Sequence, residues 1–202
     1  MSSVAASQRV WTYRDLVALP EDQLRHELID GEHVVTPSPA IPHQVILWNL
    51  TQLLGPYLRA NPIGTALAGL VDVKFSLLTV LVPDLVFFTT DRFARVVNEK
   101  HATAAPDLVV EILSPGTRRR DKGRKRAVYD REGVQEYWIV DPEAQSITAL
   151  RRPRPDAGLT DVSTLSVAAD AILESPLFPG LRIPLRDVFH HRQESRRATR
   201  SG

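Results

Sequence analysis

The 202-residue sequence contains no cysteine. That excludes a disulfide framework and a thiolate zinc site, and it fits a cytoplasmic protein. A long apolar run is also missing. Met1 to Arg9 has no signal-like apolar core and no segment could span a bilayer, so no membrane partner is expected. Net charge is nearly absent: 25 Lys and Arg against 24 Asp and Glu leave +1 at pH 7. Any nucleic-acid binding must come from a local patch and not from the overall field. There is no internal repeat. What remains is an ordinary globular composition, 43% apolar and 24% charged, at a length that suits one α/β domain. We expect a flexible leader over 1–10, a single domain over 11–190 and a basic tail over 191–202.

Hydrophobic periodicity predicts the elements in order. Thr12 to Leu19 reads as a short helix, with Thr12 as cap and Asp15 in its first turn. Glu27 to Val35 has Asp30-Gly31 between two apolar runs, a strong hairpin signal. Ile41 to Asn61 carries Val45, Trp48, Leu50, Leu53, Leu54, Tyr57 and Leu58 at helical spacing. Gly64 to Ser76 reads as strand, Leu81 to Thr89 as a buried strand, and Asp107 to Leu113 as another. Arg118 to Glu132 is a charged helix stopped by Gly133. Gln135 to Val140 is an apolar strand, and Ser146 to Arg152 its hairpin partner. Short strands near 162–167 and 172–173 and a helical turn around Phe189 close the chain. This order predicts a mixed α/β, or α+β, sheet flanked by helices, with an N-terminal hairpin and extra C-terminal strands. It is not a regularly alternating doubly wound fold.

The most apolar strand, Asp107-Leu-Val-Val-Glu111-Ile-Leu113, holds a carboxylate near its centre. An ionised carboxylate there is costly unless it is paired, protonated or metal-bound. Strand alternation puts Asp107, Val109, Glu111 and Leu113 on one face. Asp84 opens a second apolar strand directly after Pro83. If the strands are neighbours, both carboxylates reach one point. That suits Mg²⁺ or Mn²⁺, which keep several waters and accept one or two protein carboxylates. Asp121, Lys125 and Tyr129, spaced by four, share a helical face. Lys125 could then orient a nucleophile beside a metal-bound water and offset developing phosphate charge. Arg118, Arg119, Arg120, Lys122, Arg124 and Arg126 form the one strong basic patch, as phosphate contacts require.

Plainer readings stay open at each position. Asp84 can be a strand-start residue tied to backbone amides, and Glu111 half of a buried salt bridge. Lys125 can be a solvated residue on a charged helix, and the arginine run can simply solubilise that helix. Asp107 reads as a capping or exposed strand-start residue. Asp72-Val-Lys74 mimics a D-x-K motif but reads as a decoy, because its strand is less apolar and no basic helix follows. From the residues alone, Glu27 reads as surface charge at a hairpin edge and His43 as a residue near a helix start.

Together, Pro83-Asp84, Val-Val-Glu111-Ile-Leu-Ser-Pro115, Asp121-x3-Lys125-x3-Tyr129 and Gly133-Val-Gln-Glu-Tyr-Trp-Ile-Val-Asp-Pro142 resemble a restriction-endonuclease-like family of the PD-(D/E)XK nuclease superfamily, abundant in cyanobacteria. Glu27-Leu-Ile-Asp-Gly-Glu32, Ser38-Pro39-x3-His43 and Phe178-Pro-Gly-Leu-x-Ile-Pro184 also match, so the resemblance spans Thr12 to Phe189. It implies a restriction-endonuclease-like core and a Mg²⁺-dependent (or Mn²⁺-dependent) endonuclease acting on DNA, with a homodimer as a further expectation. The resemblance makes Asp84 and Glu111 the metal ligands, and Asp84, Glu111 and Lys125 the catalytic residues. Glu27, His43, Asp121 and Tyr129 become accessory candidates. The sequence departs from the superfamily motif at Leu113, where a lysine is expected, so Lys125, or failing it Lys122, takes that role. His26 stands where the family usually has an aromatic residue. Two other functions stay open: a catalytically inactive nuclease fold used for nucleic-acid binding or regulation, and a metal-dependent hydrolase of a small phosphorylated substrate.

Overall fold

A computed structural model of the protein describes residues 9–190 other than 23, 37 and 70. Most of the expected leader and the basic tail over 191–202 lie outside the described residues.

Local chemistry sets the first elements. Helix α1 (Tyr13–Val17) begins where Thr12 N–H and Oγ1–H donate to Asp15 Oδ2 at 2.9 and 2.7 Å, supplying partners to groups a helix start leaves bare. Strands β1 (Arg25–Ile29) and β2 (Glu32–Thr36) meet at Asp30-Gly31. Both turn residues take positive φ, 51° and 82°, as a two-residue hairpin loop of the right twist demands. Helix α2 (Ile41–Ala60) carries proline in its first turn and buries His43, Ile46, Leu50 and Leu54 along one stripe.

Two sequence-predicted strands turn out to be divided between two sheets. The segment 64–76 gives β3 (Gly64–Ala68) and β4 (Val73–Lys74), separated by Gly69 at φ +98°. The segment 81–89 gives β5 (Val80–Leu81) and β6 (Leu85–Thr89). Pro83, which has no N–H to offer a ladder, lies in the break, and Asp84 directly precedes β6. Then follow α3 (Thr90–Val96) and β7 (Leu108–Ile112). Next comes a helical run: α4 (Arg118–Arg120), one π-helical turn Asp121–Lys125, and α5 (Arg126–Arg131). The chain ends in β8 (Glu136–Asp141), β9 (Ser146–Arg151), β10 (Thr160–Ser166), β11 (Ile172–Leu173), β12 (Ile183–Pro184) and α6 (Leu185–Phe189).

The six-stranded central sheet has the order β10-β9-β8-β7-β6-β3, and the four-stranded sheet β2-β1-β5-β4. Only β7 and β8 of the central sheet run parallel. A parallel pair needs a long crossover, and the α4–α5 run supplies it. This is the mixed sheet flanked by helices that the sequence predicts.

Strand β7 sits between two cores, which is why it is apolar on both faces. Leu108, Val110 and Ile112 pack with α2 and α6. Val109 and Leu113 pack with Ile29, Val73 and Leu81 of the second sheet and with Val128 and Tyr129 of α5. Glu111 shares the second face. Asp107 corrects its sequence reading: it is buried, and it accepts hydrogen bonds from Arg92, Gln135 and Thr89 N–H. Among the described residues, no helix is long and apolar enough to cross a membrane.

Candidate active site

Antiparallel pairing of β6 with β7 sets Leu85 opposite Val110. One step further along that register, Asp84 faces Glu111. Asp84 Oδ2 accepts the Ile112 N–H at 2.7 Å, which ties the two strand ends together. The carboxylates expected from the sequence therefore do come to adjacent positions, each with its own partners. Asp84 Oδ1 lies 2.6 Å from Arg25 Nη1 and 3.2 Å from His43 Nε2. Glu111 Oε1 accepts from Lys125 Nζ at 2.9 Å and from the Tyr129 hydroxyl at 2.6 Å.

Glu27 is a correction to its surface reading, and Lys125 comes to the acids as its helical register with Asp121 and Tyr129 suggests. Glu27 is fully buried, because β1 lies inside its sheet between β2 and β5 and turns this side chain inward. Its Oε1 accepts from Lys125 Nζ at 2.8 Å and from Val82 N–H at 2.9 Å. Lys125 is 1% exposed and also lies 3.7 Å from Asp121 Oδ1. The π-helical turn carries both Asp121 and Lys125 inward, a wide turn of the kind that recurs at functional sites. Lys122, the fallback, is half-exposed and lies 3.8 Å from Asp141, so Lys125 is the lysine brought to the acids. Lys74 of the decoy motif instead sits over the Tyr13 ring.

Burial dominates the electrostatics. It pushes the Glu111 carboxyl up to about 8; Lys125 opposes the rise, while Asp121, Asp84 and Glu27 add to it. Burial would lower the Lys125 ammonium, but Glu111, Glu27 and Asp121 outweigh it and hold the proton on. Burial would raise Asp84, yet His43, Arg25 and the Ile112 N–H keep it below the usual carboxylate range. Burial raises Asp121. The Tyr129 phenol, lifted by burial and by Glu111, stays a neutral donor.

Two buried carboxylate oxygens, Glu27 Oε2 and Asp121 Oδ1, have no hydrogen-bond donor. Such orphaned acceptors in an all-oxygen set suit a hard cation. Among the described residues, no group of three or more His, Asp or Glu side chains is arranged to hold a metal ion. Asp84 and Glu111 at adjacent positions offer two carboxylates, a donor set that suits a divalent ion keeping several of its waters.

The acids open onto a cleft of about 260 Å³, lined by Thr36, Glu111, Arg120, Asp121 and Lys125 among others. A second hollow of about 410 Å³ reaches Asp84. Arg25 and His43 line both. Arg25 was missed from sequence, although strand alternation puts it on the same face of β1 as Glu27.

The basic run is less bare than its composition suggests. Arg118 pairs with Asp141 and Glu143, Arg124 with Glu32, and Arg126 with Asp161. Arg120 turns toward the cleft, 2.6 Å from Thr36 Oγ1 and 3.8 Å from Glu27 Oε2. Arg119 is exposed.

No curated protein matches the sequence. Among solved structures, the chain is similar to "a putative nuclease belonging to DUF820 from Anabaena variabilis ATCC 29413", with a TM-score of 0.72 and 23% identity over 88% of this chain and 97% of that one. That likeness shows a shared fold. The family described as "Uma2: Putative restriction endonuclease" matches residues 13–186, nearly the whole described chain, and the protein belongs to that family.

Proposed function

We propose that the protein is a divalent-metal-dependent endonuclease that hydrolyses DNA phosphodiester bonds. The observation that carries this reading is the convergence of Glu27, Glu111 and Asp121 on Lys125 beside an open cleft, with Asp84 on the adjacent strand. Asp84 and Glu111 would hold Mg²⁺ or Mn²⁺, with water completing the shell. Such an ion, when bound, polarises a phosphoryl oxygen and makes water a better nucleophile.

The chain's own residues do the rest. Lys125 keeps its proton under three carboxylates, places positive charge beside the reacting phosphate and donates to the attacking water. Glu27, fixed by the Val82 N–H, and Tyr129, through Glu111, hold that lysine in place. His43 fixes the orientation of Asp84. Arg120 lines the approach. The exposed ion pairs of Arg118, Arg124 and Arg126 are individually weak, so a DNA backbone can exchange them for phosphate contacts.

The test is nicking of supercoiled plasmid in Mg²⁺ and in Mn²⁺ by the native protein and by Glu111→Ala, with circular dichroism confirming that the variant folds. We expect cleavage by the native protein alone. Full activity in folded Glu111→Ala refutes the assignment. A second reading, a nuclease fold that binds DNA without cutting it, is favoured by the full engagement of Asp84 with Arg25, His43 and the Ile112 N–H. Binding without cleavage in either ion is its expected result.

A further inference from the structure

Arg25 stands in the way of the metal just described. Its Nη1 is 2.6 Å from Asp84 Oδ1, and the same nitrogen donates to the Val82 carbonyl at 3.2 Å. The two side chains are 13% and 4% exposed. Glu111 and Glu27 attract the guanidinium as well. Asp84 is thus already neutralised by a full positive charge at contact distance, and its other oxygen is taken by the Ile112 N–H. A divalent ion placed between Asp84 and Glu111 would meet that guanidinium in a poorly hydrated site, where like charges repel strongly. Arg25 also has somewhere to go. It borders both the cleft of about 260 Å³ and the hollow of about 410 Å³, and Asp84 is the only acid with which it forms an ion pair among the described residues. A guanidinium freed into the cleft presents a planar fork that matches the oxygens of a phosphate.

We propose that Arg25 is the resident counter-ion of Asp84, that a divalent cation displaces it, and that the freed guanidinium then binds a backbone phosphate of the nucleic acid in the cleft. This rests on the metal-dependent reading above and adds an exchange to it: one arginine serves the acid before the metal arrives and the nucleic acid after. The exchange couples the two ligands positively, and loss of Arg25 acts on them with opposite signs. Removing the Arg25 charge should help the metal bind and hinder the nucleic acid. A purely structural arginine would, when removed, weaken both.

The experiment uses the full chain, native and as Arg25→Met and Arg25→Lys. Mn²⁺ binding is read from the free-ion electron paramagnetic resonance signal. Nucleic-acid binding is read from the fluorescence anisotropy of a short fluorescein-labelled DNA duplex in Ca²⁺. Arg25→Met should bind Mn²⁺ about tenfold more tightly than native and the duplex about tenfold more weakly, a shift typical of coupled sites. Arg25→Lys, which keeps the charge, should hold Mn²⁺ affinity near native. Measurable native Mn²⁺ binding that is unchanged or weakened in Arg25→Met overturns the exchange and leaves the metal-dependent reading standing. Absence of Mn²⁺ binding in both proteins overturns both. Should Arg25→Met fail to fold, the native chain decides. The side-chain ¹⁵N–¹H resonances of Arg25 should move and lose their protection from solvent at saturating Mg²⁺, and their persistence while Glu111 responds overturns the proposal.

Discussion

Replacing Lys125 with methionine removes a charge while nearly keeping the shape of a side chain that is 1% exposed. Its Nζ lies 2.8 Å from Glu27 Oε1, 2.9 Å from Glu111 Oε1 and 3.7 Å from Asp121 Oδ1, all on residues at most 2% exposed. Removing one partner of a buried ion pair costs about 3–5 kcal/mol, because the remaining charge stays desolvated. Here all three acids keep another donor: the Val82 N–H on Glu27, the Tyr129 hydroxyl on Glu111 and the Thr117 hydroxyl on Asp121. The loss should therefore fall near the lower end, about 3 kcal/mol. Its pH dependence has a definite sign. Without the ammonium the buried acids are more readily protonated, and protonation removes the repulsion among them, so the loss should be smaller at pH 5 than at pH 8. Urea unfolding at both pH values, followed by the fluorescence of buried Trp138, measures it. Adding Glu27→Gln to Lys125→Met should recover part of the loss, since the two residues touch. A cost below about 1 kcal/mol at pH 8, or a larger cost at pH 5, would refute the picture of Lys125 as the cation that holds three buried acids together.

Three further outcomes follow from the same geometry. Tyr129→Phe deletes a 2.6 Å hydrogen bond to Glu111 and should lower stability by about 0.5–1.5 kcal/mol, the range for a bond to an uncharged group; an unchanged melting temperature would contradict the assigned bond. Glu111 has a folded-state carboxyl near 8 against an ordinary 4.5, so its contribution is complete below about 4.5 and is lost as pH rises through about 8. Native stability should therefore fall between pH 5 and pH 8 relative to Glu111→Gln, which does not titrate, and parallel unfolding profiles would count against the raised carboxyl. Gly64→Ala would place a Cβ 2.2 Å from the Phe88 carbonyl oxygen and 2.6 Å from the Phe87 ring, so it should cost about 1–3 kcal/mol through overpacking. Gly116→Ala, with nothing within 4 Å of its added carbon, should be close to neutral in the same melt.

What the sequence reveals and what it conceals divide along the range of the interactions. The Asp30-Gly31 turn, the Thr12–Asp15 cap and the stripe on α2 are written in residues a few places apart, and all appear where periodicity puts them. Asp84 and Glu111 are legible too, because a carboxylate in an apolar strand is anomalous by itself. The period-2 pattern does not say which sheet a strand joins, so 64–76 and 81–89 read as single strands although Gly69 and Pro83 mark their breaks. Glu27 looks like surface charge because its partners come from distant segments: β5 covers β1, and the π-helical turn brings Lys125 to it, a lysine whose own register with Asp121 and Tyr129 already points inward. The basic helix misleads in the same way, since Glu32, Asp141, Glu143 and Asp161 reach it from elsewhere in the fold.

Buried charges of this kind have meaning only as a set. Glu27, Asp84, Glu111 and Asp121 are four buried acids; among the basic side chains they meet, Lys125 is buried, Arg25 nearly so, and Arg120 sits at the rim. The His43 imidazole also meets Asp84, yet two carboxylate oxygens of the set lack a donor. Burial first, and then the neighbouring Asp121, Asp84 and Glu27, favour a proton on Glu111 and raise its carboxyl to about 8. A divalent cation bound at Glu111 would displace that proton. Under the proposed function, proton and metal would compete for the Glu111 carboxylate, and Arg25, 2.6 Å from Asp84, would compete with the metal for that second acid.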